Sequence, residues 1–300
     1  MRMSRLYFLF LICTIFFLQN AYCQVPAFDQ DEAFSYLKKQ CDFGPRNPGS
    51  KGHGDCLEFL VQELKKQTPD IKKQPFHLNL PGTSQMIKCT NVMASFGLQS
   101  KRILLCAHWD TRPRADQDPD PSNRNNPIIG ANDGASGVAI LLEVAKILNR
   151  HPAPTGVDLV LFDAEDAGLD GQWETWCLGS RYFAESGILK KMPEYAILLD
   201  LVGDRDLSLP VEYYSNQYAP QYVDMIWNRA EDLGLTAFNR SEGPAVIDDH
   251  LNLLRAGIPT VDIIDFDYVY WHTIEDTPDK CSPESLGAVG TLLVHLIYDP

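Results

Sequence analysis

The stretch Val157-Asp158-Leu159-Val160-Leu161-Phe162-Asp163-Ala164-Glu165-Asp166 decides the fold. Apart from Asp158, residues 157–162 form an apolar run of the kind found in strands buried on both faces. Acids follow directly at its carboxyl end: Asp163, Glu165 and Asp166. The same grammar recurs elsewhere. A strand-like run at 102–107 leads into His108 and Asp110. A run at 195–202 carries Asp200, and a run at 258–264 leads, after a short loop, to His272. Between them lies a strong helical pattern at 134–149, with Val138, Leu141, Leu142, Ala145 and Leu148 on one face. Further helices are predicted at 31–41, 53–66, 180–185, 221–233, 251–256 and 283–297, and further strands at 75–80 and 87–96. Strands alternating with helices predict an α/β fold with a mostly parallel sheet and helices on both faces. No repeat, low-complexity segment or linker divides it, so one domain is expected. Residues 111–127 hold four prolines and no period, and read as a long loop of the sort that usually carries function.

The chain has 300 residues, 45% of them apolar and 22% charged, which excludes a disordered or fibrous protein. Its 26 basic against 40 acidic residues, a net charge of −14, disfavour a protein that coats nucleic acid. The first 23 residues read as a secretory signal peptide. Arg2 and Arg5 precede an apolar run from Leu6 to Leu18, and Ala21 and Cys23 occupy small-residue cleavage positions before Gln24. The expected product, residues 24–300, is exported, periplasmic or secreted, with a lipid or membrane tether as the alternative. No later stretch is apolar enough to span a bilayer.

Six cysteines follow the leader: Cys41, Cys56, Cys89, Cys106, Cys177 and Cys281. Export permits disulfides, and Cys41 and Cys56 flank a turn-rich segment as a candidate local pair. No C-x-x-C occurs, which argues against a thiolate zinc site. Cys106, inside an apolar strand, reads as a small buried hydrophobe.

Ligands of open α/β sheets bind beyond the carboxyl ends of the strands. Acids and histidines collect there: His108, Asp110, Asp133, Asp163, Glu165, Asp166, Asp200, Asp248, Asp249, His250 and His272. A lone acid at a strand end is usually a cap. Several together repel one another unless a cation sits among them, and imidazole with carboxylate is the ligand chemistry of a catalytic Zn²⁺.

These residues carry a resemblance. Cys106-Ala107-His108-Trp109-Asp110, Gly130-Ala131-Asn132-Asp133-Gly134-Ala135-Ser136-Gly137, Phe162-Asp163-Ala164-Glu165-Asp166 and Tyr270-Trp271-His272-Thr273 resemble, in order, the motifs of the zinc aminopeptidases called peptidase family M28. Gly44-Pro45-Arg46 and Pro48-Gly49-Ser50 are similar to that family's N-terminal signature. The resemblance covers about residues 40–300 and implies a single α/β domain with a twisted mixed sheet between helices.

Two activities divide that family: dinuclear zinc aminopeptidases, and glutaminyl cyclases with one zinc, which convert N-terminal glutamine into pyroglutamate and release ammonia. The doubled acid Asp248-Asp249-His250 followed by Leu254-x-x-Gly257-Ile258-Pro259, the Trp271-His272 pair and Trp176-Cys177-Leu178-Gly179-Ser180-Arg181 resemble the cyclases. The resemblance implies Asp133, Asp166 and His272 as zinc ligands and Glu165 as general acid/base. It implies Asp200 and Asp248 as the acid network beside Glu165, Trp271 as a substrate wall, and peptides or proteins with N-terminal glutamine as substrates. One zinc is expected, or two in an aminopeptidase. His108 and Asp110 are then either second-metal ligand and orienter or supports behind the first metal. Three positions depart from the pattern: Asp166 stands where Glu is usual, Asp262 where animal cyclases have His, and Cys106 lacks the partner of their disulfide.

The remaining residues stay open. Asp163 is expected to close a strand-end hydrogen bond. Asp249 and His250 read equally as helix caps. Trp173 and Trp176 either line the pocket or cover the core. His53, His77, His151 and His295 read as structural or surface residues, and Tyr268 and Tyr270 as a pocket rim.

Overall fold

The computed structural model describes residues 25–79 and 85–299, so the leader expected at 1–23 lies outside the described residues. The helices are α1 Gln30–Cys41, α2 Lys51–Gln67, α3 Ala135–Arg150, α4 Leu178–Glu185, α5 Tyr213–Tyr218, α6 Pro220–Asp232, α7 Asp249–Arg255 and α8 Pro283–Tyr298. The strands are β1 Ile71–Asn79, β2 Met86–Phe96, β3 Arg102–His108, β4 Gly156–Phe162, β5 Ala196–Asp200, β6 Leu209–Val211, β7 Phe238–Glu242 and β8 Thr260–Ile264. Six strands form the main sheet in the order β1-β2-β4-β3-β5-β8. β4, β3, β5 and β8 run parallel, while β2 is antiparallel to both β1 and β4. The sheet is therefore mixed and mostly parallel, as expected.

Side-chain alternation sorts the sheet between two helical layers. In β3, Ile103, Leu105 and Ala107 face a core built with α1, α2, α3, α6 and α8. Leu104 and Cys106 face the other side, with Phe183 of α4 and Leu253 of α7. β3, β4, β5 and β8 are buried on both faces, which is why their sequences are mostly apolar runs. The register aligns the carboxyl ends: His108 pairs with Phe162, and Asp200 with Ile264.

Asp158, the polar residue of the deciding stretch, sits near the opposite end of β4. Its carboxylate takes two hydrogen bonds of 2.7 Å from the guanidinium of Arg102, and both residues are buried. Truncating one partner leaves a buried unpaired charge, so Arg102→Ala is expected to cost about 3–5 kcal/mol of unfolding free energy. Urea denaturation checks this. A loss under about 1 kcal/mol, the scale of an exposed ion pair, would contradict it.

The predicted elements form with ends shifted by a few residues. β6, α5 and β7 were not expected. Each is short, and β7 (Phe-Asn-Arg-Ser-Glu) has no buried residue to impose an apolar pattern. The disulfide expectation is corrected. Cys41 and Cys56 are free, buried thiols in the main core, and burial pushes both pKa values up to about 12. Cys106 is buried as read. No helix among the described residues is long and apolar enough to cross a membrane.

Candidate active site

The strand ends open onto a cavity of about 370 Å³. Asp133, Glu165, Asp166, Asp200, Asp248 and His272 line its polar side, and Trp173, Trp176, Phe266 and Trp271 its apolar side. The chain bends sharply to deliver them. Among the described residues the non-glycine positions with left-handed backbone are Ala164, Cys177, Leu201 and His272. All four belong to this neighbourhood, where strained backbone tends to concentrate. Gly134 also has positive φ, and a Cβ there would meet the carbonyl oxygen of Asp110 at 2.7 Å and the His108 ring at 3.0 Å.

His272 Nε2 lies 3.1 Å from Asp166 Oδ1 and 3.5 Å from Asp133 Oδ2. Donors bound at about 2.0–2.1 Å to one tetrahedral Zn²⁺ stand about 3.3 Å apart, so these spacings suit a shared cation. Asp133 Oδ2 and both Asp166 carboxylate oxygens are buried without a hydrogen bond. Orphaned buried oxygens around one imidazole nitrogen fit a zinc site by donor chemistry, and the Asp at 166 reaches it. The other ring nitrogen, Nδ1, lies 3.4 Å from Asp116 Oδ1. Asp116 is in turn gripped by Arg112, whose guanidinium stacks on Trp176 at 4.3 Å and donates to the carbonyls of Asp166 and Gly168.

His108 Nε2 lies 3.1 Å from Asp200 Oδ1, as a hydrogen bond, and 3.2 Å from Asp133 Oδ1. Asp110 does different work. Its two oxygens accept the backbone N–H groups of Glu165 (3.0 Å) and Asp166 (3.3 Å), pinning the turn that presents both acids. Asp276 treats Asp133 the same way, accepting its N–H at 3.1 Å. Glu165 is buried, and its Oε1 accepts the Cys177 thiol at 3.2 Å. Burial, then the Asp166 charge and the acids Asp248 and Asp249, push its pKa well above the usual carboxylate value. Burial and Asp200 raise Asp248 to about 7, and burial and Asp166 raise Asp133 to about 7. Burial alone would lower His272, yet Asp166 and Asp116 carry it to about 9.

Trp271 stacks on the His272 ring at 3.8 Å, and Trp173 and Trp176 both line the cavity, which resolves their open reading. The cap reading of Asp249 and His250 is corrected. Asp248 already caps α7, and His250 is wholly buried between Glu212 (3.4 Å) and Asp262 (3.3 Å). Tyr268 is no rim either. It is buried, and its hydroxyl donates to Asp276 at 2.8 Å. Asp163 accepts from Thr90 N–H, as expected at a strand end, and also holds His53, which stacks on Trp109. Asp116, Cys177, Asp276 and Arg112 were missed. The reading of 111–127 as a long functional loop was the one available signal, and it covers only Arg112 and Asp116.

The Peptidase family M28 profile matches residues 91–297. A Bacteroides thetaiotaomicron glutaminyl cyclase structure, in complex with N-acetylhistamine, is 38% identical, superposes with a TM-score of 0.89, and spans 92% of this chain and 100% of its own. A Zn-dependent exopeptidase from Parabacteroides distasonis is 37% identical, with TM-score 0.89 and the same coverage. The glutaminyl-peptide cyclotransferase of Boiga irregularis is 25% identical over 85% of this chain and 76% of its own length. The family match spans most of the chain, and its residues are the strands and turns that build the cavity. The chain therefore belongs to peptidase family M28 and is an enzyme of that family.

Proposed function

We propose that this enzyme converts the N-terminal glutamine of peptides into pyroglutamate, releasing ammonia, with one zinc held by Asp133, Asp166 and His272. The observation that carries this reading is the contrast between two donor sets. Around His272 the carboxylate oxygens are orphaned. Around His108 the imidazole is already hydrogen-bonded to Asp200. The first set gathers three orphaned carboxylate oxygens around one ring nitrogen, whereas the second has His108 Nε2 hydrogen-bonded to Asp200 and leaves only the far nitrogen, Nδ1, without a hydrogen-bond partner.

Zinc at that position would lend Lewis acidity to the γ-carbonyl of the substrate glutamine and stabilise the charge developing on its oxygen. The rest falls to the protein. The substrate's α-amino nitrogen attacks its own γ-carbonyl carbon, and the carbon–nitrogen bond to the side-chain amide breaks. Glu165 accepts the proton that the α-amine loses and returns it to the departing nitrogen, which leaves as ammonia. Its raised affinity for protons suits both halves of that transfer. Asp248 and Asp200 form the acid surround, and Trp271, braced on His272, packs against the glutamine chain. The lactam ring closes within one molecule, so no activated water is needed.

A Gln-initiated peptide is expected to yield ammonia and a pyroglutamyl peptide, with no free amino acid. Release of the first residue from a Leu-initiated peptide, without ammonia from the Gln peptide, would overturn the reading in favour of a dinuclear aminopeptidase. One contact favours that alternative: Asp133 also approaches His108, at 3.2 Å, and could bridge two ions.

Asp116 is assigned to orienting His272 through Nδ1. Such partners tune metal affinity, so Asp116→Asn is expected to weaken zinc binding about 10–100-fold. Competition with a chromophoric chelator measures it; unchanged affinity would remove Asp116 from this role. Export after removal of residues 1–23, leaving one catalytic domain from residue 24, belongs to the same proposal and rests on the leader's sequence.

A further inference from the structure

Beside the catalytic cavity lies a second, larger groove of about 530 Å³. Tyr214 and Tyr218 of α5, Leu251 and Leu254 of α7, and Ile247 and Trp173 line it. The last two also line the catalytic cavity, so the spaces adjoin across shared side chains. Trp173 is 63% exposed and Tyr218 62%, and the Tyr214 and Tyr218 rings stack at 6.4 Å. Large apolar residues on open surface, gathered rather than scattered, mark a binding surface. Zinc chemistry does not need this groove, whose lining includes none of the acids around His272.

We propose that the groove receives an apolar or aromatic side chain of the substrate peptide itself, downstream of its second residue. The proposal rests on the cyclase reading and adds the feature of the peptide that the enzyme selects. Continuity with the cavity names the occupant. A peptide whose first residue lies against His272 and Trp271 must leave past the cavity wall, and at Trp173 and Ile247 the wall it crosses is also the wall of the groove. An extended chain advances about 3.3–3.6 Å per residue, so a groove on the far side of the cavity wall is assigned to residues past the second. A groove with an aromatic and aliphatic lining gains most from burying a side chain of the same kind.

The test compares kcat/KM for Gln-Ala amide with that for a series of Gln-initiated hexapeptides of alanine, with phenylalanine or serine at the third, fourth or fifth residue. At one of these positions the phenylalanine peptide is expected to be favoured about tenfold over its serine counterpart, chiefly through KM. Tyr218→Ala and Leu254→Ser are expected to bring that ratio close to one while leaving turnover of Gln-Ala amide unchanged. Tyr218 is largely exposed, so its variant folds even if Leu254→Ser does not. Turnover of Gln-Ala amide without any positional preference, or a preference that both variants retain, would overturn the groove and leave the cyclase reading standing. Failure to turn over any Gln substrate would overturn both. A concentration-dependent dimer in analytical ultracentrifugation that Tyr218→Ala dissociates would assign the face to a second copy and overturn the proposal as well.

Discussion

Glu165→Gln is expected to lower kcat for ammonia release by about 10²–10⁴-fold while the protein still binds zinc. The substitution keeps shape and burial and removes the basic oxygen. Glu165 is not among the donors around His272, so metal content should not change, and the Cys177 thiol retains an oxygen acceptor. The wild-type pH profile supplies the matching signature. The base works unprotonated, so kcat/KM falls as pH drops through its pKa. Burial with Asp248 and Asp249 nearby holds that value up, while a dication at the ligand set pulls it down. The acid limb is expected above the ordinary glutamate value of about 4.3. Glu165→Gln should abolish the limb together with the rate. Full activity in the variant, measured by coupled ammonia detection, would remove Glu165 from the chemistry.

Removing His272 is expected to abolish zinc binding and activity together. Its Nε2 is the point at which both orphaned carboxylates converge. In His272→Ala the remaining donors are two acids whose charges repel, and a site reduced to two carboxylates no longer suits zinc. Equilibrium dialysis followed by atomic emission should find under about a tenth of the wild-type zinc, and ammonia release should fall to the rate of buffer. His108→Ala provides the contrast. It should retain the zinc, because His108 lies outside the His272 donor set and its Nε2 is hydrogen-bonded to Asp200. Loss of zinc in His108→Ala with retention in His272→Ala would reverse the assignment of the two donor sets.

Much of this was legible in the residues because the signal was concentrated. A strand buried on both faces must be apolar along its length, so residues 103–107, 157–162 and 196–199 announce themselves, and the residue that ends such a run is at the strand exit by construction. That logic marked Glu165, Asp166, Asp200 and, after a short loop, His272; Asp133 and Asp248 stand at helix starts, and the resemblance to peptidase family M28 singled out the six that line one cavity. It failed where position depends on the path of a loop. Asp116 reaches His272 only because residues 111–127 fold back on themselves, with Ala115 N–H donating to the Asn126 carbonyl and Gln117 N–H to that of His272, and nothing periodic encodes that return. Cys177 looks like any buried thiol until its left-handed backbone aims it at Glu165. Asp249 and His250 misled because a polar pair at a helix start resembles a cap, whereas Asp248 takes that place and the other two are drawn into the interior. The excess of acid over base likewise divides. Fourteen of the forty acids are buried, where net charge cannot reveal them.

The central claim is that one zinc, at the His272 set, supports cyclisation. Zinc titrated into the metal-stripped enzyme, with ammonia release from a Gln-initiated peptide read at each step, tests it most directly. Ammonia release is expected to rise linearly to a plateau at one equivalent per chain, without liberation of free amino acid. A plateau only at two equivalents, accompanied by release of the N-terminal residue, would contradict it.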